Sequence, residues 1–110
     1  MIEKLEHWYD GWFYDYFIAS NQDKAFDKVK KIITDGSTVL DAGCGTGRLC
    51  FQLNDKCGKI DGIDASKKNI NIANKNYDNN LYSKIKFHHT DIKSFLEGVK
   101  INTIMQFFRM

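Results

Sequence analysis

The chain has 110 residues, 43% of them apolar, with 16 basic and 14 acidic side chains and a net charge of +2. That length suits one domain spanning residues 1–110 with a real core, and the mixed signs argue against the one-sided basic surface of a nucleic-acid binder. No apolar run approaches the ~20 residues of a membrane span, and residues 1–7 lack the apolar stretch of a secretory signal. Three cysteines, Cys44, Cys50 and Cys57, without CxxC or Cys/His spacing, argue against a disulfide framework and a metal site. The expected setting is the cytoplasm, with the thiols reduced.

In chain order, the first predicted element is an aromatic segment. Trp8, Tyr9, Trp12, Phe13, Tyr14, Tyr16 and Phe17 fall within ten positions, interrupted by Asp10, Gly11 and Asp15, and predict a helix broken near Gly11. Asn21 is the expected N-cap of a helix over 22–33, whose Ala25, Phe26, Val29, Ile32 and Ile33 recur at helical spacing. Residues 34–37 read as a turn and Thr38-Val39-Leu40 as a short buried strand. A helix over 48–55 follows, with Leu49, Cys50 and Leu53 inward. A second strand covers 59–64. Ser66 caps a helix over 67–77 with Ile70, Ala73 and Tyr77 on one face. A third strand spans 84–88, a short helix 92–96 and a fourth strand 101–108.

This alternation predicts an α/β fold, a Rossmann-like parallel sheet of about four strands with flanking helices and right-handed crossovers. Residues 1–34 form the N-terminal helical and aromatic segment, and 35–110 the βα half. Ligands of such sheets bind beyond the carboxyl ends of the strands, where the strand order switches.

Three features fall at such ends. Gly43, Gly45 and Gly47 form a glycine loop between a strand and a helix, where glycine permits positive φ and close approach of a ligand to backbone. Asp64 ends the second strand and is placed to accept from two ribose hydroxyls, or to form an Asx turn before Ser66. Asp91 follows the third strand and is placed to accept from an adenine amino group, with Ile92 against the ring, or to cap the next helix. His88 and His89 are adjacent on a strand, point to opposite faces and cannot share one metal; they read as ordinary strand residues rather than as a catalytic base.

The run Val39-Leu40-Asp41-Ala42-Gly43-Cys44-Gly45-Thr46-Gly47 resembles the first motif of class I S-adenosylmethionine-dependent methyltransferases. Gly62-Ile63-Asp64-Ala65-Ser66 resembles their second motif and His89-Thr90-Asp91 their third. The resemblance spans residues 35–92 and implies a truncated class I methyltransferase fold with S-adenosylmethionine as cofactor. It implies that Gly43, Cys44, Gly45, Thr46 and Gly47 pass under the cofactor and that Asp41 lies near its amino group. Asp64 with Ala65 would hold the ribose, and Asp91 with Ile92 the adenine. Gln106, Tyr9 and Tyr14 join the expected cofactor-binding set, the tyrosines as part of an aromatic lid that would face a sulfonium.

The acceptor expected from the resemblance is a small molecule or lipid, with no nucleic acid and no membrane span; no catalytic residue is evident. The apolar segment 101–108 would leave a strand at the sheet edge, available to a second copy or a partner chain. Two further function classes stay open: a cofactor-binding fragment or subunit of a split methyltransferase, and a nicotinamide-binding oxidoreductase fragment. The last needs a glycine at position 48, where the chain has Arg48.

Overall fold

The computed structural model describes residues 2–4, 14–19, 23–78 and 80–98. Five strands form one sheet in the order of the chain: β1 (Ile2–Lys4), β2 (Tyr16–Ile18), β3 (Thr38–Ala42), β4 (Lys59–Asp64) and β5 (Ile85–His89). β1 is antiparallel to β2, and β2 to β5 are mutually parallel. The helices are α1 (Asp23–Ile32), α2 (Arg48–Leu53), α3 (Lys67–Asn76) and α4 (residues 92–98).

The described sheet has four parallel strands, as many as expected, but only β3, β4 and β5 are strands that the sequence pattern predicts, and β2 stands where it predicts helix. Tyr16-Phe17-Ile18 pairs with Val39-Leu40-Asp41. Its burial alternates: Tyr16 and Ile18 are buried and Phe17 is half-buried. Aromatic and β-branched side chains fit a pleated surface packed on both faces, and here that fit overrides the helical reading of the aromatic run. The expected fourth strand at 101–108 and the expected N-cap Asn21 lie outside the described residues.

Because neighbours in sequence are neighbours in the sheet, crossovers of one hand bring their helices to one face. Phe26, Val29 and Ile33 from the α1 region, Leu49, Cys50 and Leu53 of α2 and Ile70 of α3 share a single core with Val39, Ile60 and Ile85. The spacings 26, 29, 33 and 49, 50, 53 are the one-sided stripes of amphipathic helices. Ile32, expected inward, is 52% exposed; its carbonyl accepts from the Tyr16 hydroxyl at 3.2 Å. On the opposite face a smaller cluster joins Tyr14, Leu40, Ala42 and Ile63, with Phe17 and Phe95 of α4 against it. The strand order shows no reversal among the described strands, so their carboxyl ends alone define where a ligand would sit.

The entry of β2 is tied to β3 at one residue. The Asp15 amide donates to the Thr38 carbonyl at 2.8 Å, and the Thr38 amide donates back to Asp15 Oδ2 at 2.8 Å. If β2 is a true member of the sheet, Ile18→Ala, which empties a fully buried site, lowers stability by about 2–4 kcal/mol in urea denaturation. A change under about 0.5 kcal/mol would mean that this segment does not belong to the core.

Candidate functional site: a glycine loop bound to the end of a neighbouring strand

β3 runs directly into the glycine loop. Gly43, Gly45 and Gly47 all have positive φ, +75°, +60° and +89°. A side chain in that region is strained, so the spacing of the three glycines follows from the path of the backbone. A Cβ added at Gly43 or Gly45 would meet nothing within 4 Å, so these two positions border open space. Gly47 is different: its Cβ would lie 2.6 Å from Cζ of Phe87 on β5. The ring of Phe87 also sits 2.9 Å from where a Gly62 Cβ would be, and packs edge-on to Phe51. Gly43 and Gly45 are therefore fixed by backbone conformation, Gly62 by packing, and Gly47 by both.

The loop is anchored to β4. The amides of Gly43 and Cys44 both donate to the Ile63 carbonyl, at 2.8 and 2.9 Å. The Gly45 amide donates to Asp64 Oδ2 at 2.8 Å, while Asp64 Oδ1 accepts from the Ser66 amide at 2.8 Å. The Asx turn is thus formed as anticipated, and the same carboxylate reaches across to the loop. Ser66 caps α3 by accepting from the Asn69 amide at 3.2 Å, and Ala65 is exposed in the turn between them. The Gly47 amide donates to the Cys44 carbonyl at 3.0 Å.

Asp41 lies at the root of the loop, 1% exposed. Its Oδ2 accepts from the Cys50 thiol at 3.3 Å, and its Oδ1 is buried without a hydrogen-bond partner among the described residues. Burial pushes its pKa up to about 7, with the Cys50 hydrogen bond opposing and the nearby Asp64 charge adding to the rise. Burial, followed by the Asp41 and Asp64 charges, pushes the Cys44 thiol up to about 12, so it is not a nucleophile at neutral pH.

Asp91 stands beyond β5 at the same end of the sheet, exposed, and its Oδ1 accepts from the Ser94 amide at 2.7 Å. The capping role is present, and the remaining lone pairs face solvent. Ile92 is 40% exposed beside it. Asp41, Gly43 to Gly47, Asp64 and Ala65 are brought together at the ends of β3 and β4, with Asp91 and Ile92 one strand over. Tyr14 is not part of that group: it is 7% exposed in the second-face cluster, with its hydroxyl donating to Asp61 at 3.0 Å. Tyr9 and Gln106 lie outside the described residues.

His88 and His89 do point apart. His88 Nε2 is 2.8 Å from Asp61 Oδ1, and His89 Nε2 is 3.1 Å from the Ala65 carbonyl. Sequence reasoning missed Asp61, a buried acid (3% exposed) on β4. The signal was available in the alternation Lys59, Asp61, Ile63, which places a charge on the buried face of an internal strand.

Asp41 carries a signed prediction. Folding raises its proton affinity, so between about pH 4, its unfolded value, and about 7 the native state holds a proton that the unfolded chain has lost. Stability therefore falls as pH rises through that window and levels off above it. Urea midpoints at pH 5 and pH 8 should fall further for the parent chain than for Asp41→Asn, which cannot titrate; equal slopes would refute the assignment.

The sequence profile of the family described as "Methyltransferase domain" matches residues 33–107. Among curated proteins, the chain is 26% identical over 85 residues to a probable cobalt-precorrin-6B C(15)-methyltransferase (decarboxylating) from Methanococcus vannielii, covering 77% of this chain and 47% of that protein. It is 35% identical over 98 residues to phosphoethanolamine N-methyltransferase from Plasmodium falciparum, covering 82% and 35%. Among solved structures, a putative rRNA-methylase from Clostridium thermocellum superposes with a TM-score of 0.54 at 28% identity, over 62% of this chain and 40% of that one. The chain spans less than half the length of these relatives. With its glycine loop, its strand-end acids and its parallel sheet, the chain belongs to the class I S-adenosylmethionine-dependent methyltransferase family.

Proposed function

We propose that residues 1–110 form the cofactor-binding unit of a methyltransferase that uses S-adenosylmethionine to methylate a small molecule or lipid. The observation that carries this reading is the bond from the Gly45 amide to Asp64, which joins the glycine loop to the acid at the end of the next strand. The residues present fit the cofactor on two independent counts. Gly43 and Gly45 border open space that any Cβ would begin to fill, and the buried Asp41 Oδ1 lacks a donor that an ammonium group supplies.

On this reading Asp41 accepts from the amino group, and Gly43, Cys44, Gly45, Thr46 and Gly47 line the backbone side. Asp64, with Ala65, accepts from the ribose hydroxyls through lone pairs left over from its two amide bonds. Asp91 and Ile92 receive the adenine. When bound, S-adenosylmethionine supplies a methyl group already activated on sulfur, which leaves the protein the task of alignment. A dinucleotide is the poorer fit: the amides of Gly43, Cys44, Gly45 and Gly47 are all donated within the protein, whereas a pyrophosphate needs such amides free. Arg48 also breaks the dinucleotide fingerprint.

Calorimetry with S-adenosylhomocysteine should show saturable binding that Asp64→Ala weakens by about 1–3 kcal/mol. Binding of NAD instead, or unaltered affinity in the variant, would refute the reading. Likeness to a cobalt-precorrin methyltransferase and a phosphoethanolamine methyltransferase favours a small acceptor, while likeness to a putative rRNA-methylase favours a second reading, an RNA acceptor. Transfer of a radiolabelled methyl group to amines, phenols and lipids, or to RNA, separates the two. The third outcome, cofactor binding with no transfer, would favour a cofactor-binding fragment or a subunit of a split methyltransferase.

We also infer that the apolar segment 101–108 joins this chain to a second copy or a partner chain. Light scattering at micromolar concentration should then give a dimer, and a strictly monomeric chain that transfers methyl groups would refute it.

A further inference from the structure

β5 reaches the glycine loop across the strand between them. Gly62 lies inside β4, opposite Phe87 in register. Its φ is not positive, so its backbone would admit a side chain. The space does not: a Cβ there would lie 2.9 Å from Cδ1 of Phe87 and 3.1 Å from Sγ of both Cys44 and Cys50. A glycine inside a strand commonly marks the close approach of another group. Here that group is the Phe87 ring, which lies against Gly62 and ends at Gly47, with Cζ 2.6 Å from where a Gly47 Cβ would be.

The two halves of the loop are held by different means. The amides of Gly43, Cys44 and Gly45 are bonded to β4. The backbone groups of Gly47 are bonded elsewhere. Its amide donates to the Cys44 carbonyl, inside the loop, and its carbonyl accepts from the Phe51 amide at 3.0 Å, inside α2. Among the described residues, then, packing against the Phe87 ring is what sets the distance of Gly47 from the sheet. The ring is itself backed by Phe51, with centroids 5.5 Å apart, and Phe51 meets Tyr82 at 4.6 Å. In packing this close the ring cannot shift without shifting Gly47.

We propose that Phe87 is the positioning residue of the cofactor loop: its ring, passing over Gly62, holds Gly47 and the start of α2 in the place that cofactor binding requires. The proposal rests on the reading of the glycine loop as the cofactor site. Phe87 acts through Gly47 rather than on the cofactor itself. Gly62 is the gap that the ring needs. A residue inside β4 thereby becomes a determinant of affinity for a ligand bound beyond the end of the strand.

The test compares Phe87→Leu with Tyr82→Leu, which removes a ring from the same aromatic cluster but none of the atoms nearest Gly47 or Gly62. In calorimetry with S-adenosylhomocysteine, Phe87→Leu should bind about tenfold or more weakly than the parent chain, through loss of a preorganised loop, and Tyr82→Leu should bind as the parent does. Amide hydrogen exchange of the chain without ligand should speed up at Gly47 in Phe87→Leu alone, with the amides of Gly43, Cys44 and Gly45 as protected as before. Gly62→Ala displaces the same ring, so the double variant Gly62→Ala, Phe87→Leu should lose less affinity than the product of the two single losses. Equal losses of affinity in Phe87→Leu and Tyr82→Leu, or unchanged exchange at Gly47, would make Phe87 a packing residue and overturn the proposal; single losses that multiply would overturn the route over Gly62. A parent chain that binds no S-adenosylhomocysteine would instead overturn the cofactor reading, while exchange at Gly47 would still decide whether Phe87 positions the loop.

Discussion

Three consecutive backbone amides, those of Gly43, Cys44 and Gly45, end on one neighbouring strand. Two share the Ile63 carbonyl and the third meets the Asp64 carboxylate. A loop of glycines is by nature mobile, since glycine loses more conformational freedom on folding than any other residue. These bonds fix it in place before any ligand arrives. They also explain why Asp64 must be an acid with two free oxygens: one organises the loop and the other the turn into α3. The open space above Gly43 and Gly45 and the burial of Asp41 below them both follow from that anchoring.

The two faces of the sheet are used differently. One is closed by three helices into a continuous apolar core, with Asp41 as its buried acid. The other carries a small apolar cluster and the network of Tyr14, Asp61 and His88. A buried carboxylate is tolerable only when its hydrogen bonds are met. Asp61 meets that condition through three donors; Asp41 does not, and its raised proton affinity is the physical expression of the difference.

Much of this was legible in the sequence because several local signals agreed. The stripes at 26, 29, 33 and at 49, 50, 53, the Ser66 cap and the three glycines each specify local geometry on their own, and α2, α3, β4 and β5 fall within a residue or two of expectation. The strand at Tyr16–Ile18 was not legible. Three residues are too few for a period to show, and its conformation is set by β3, some twenty residues away. The roles of Phe87 and Asp61 were hidden for a similar reason. Each depends on which strand lies alongside, a register that hydrophobic pattern alone does not reveal. The second role of Asp91, as cap of α4, was visible from its place before a helix.

The reciprocal bonds between Asp15 and Thr38 have a consequence for strand alignment. In a strand of three residues a slip by one position sends every side chain to the other face. Tyr16 and Ile18 would then leave the helical core, and Phe17 would enter it. Hydrophobicity penalises such a slip only weakly here, because all three side chains are apolar. Asp15 supplies the missing discrimination, since its carboxylate meets the Thr38 amide in one alignment alone. The shortest parallel strand of the sheet thus takes its register from a polar residue just outside it.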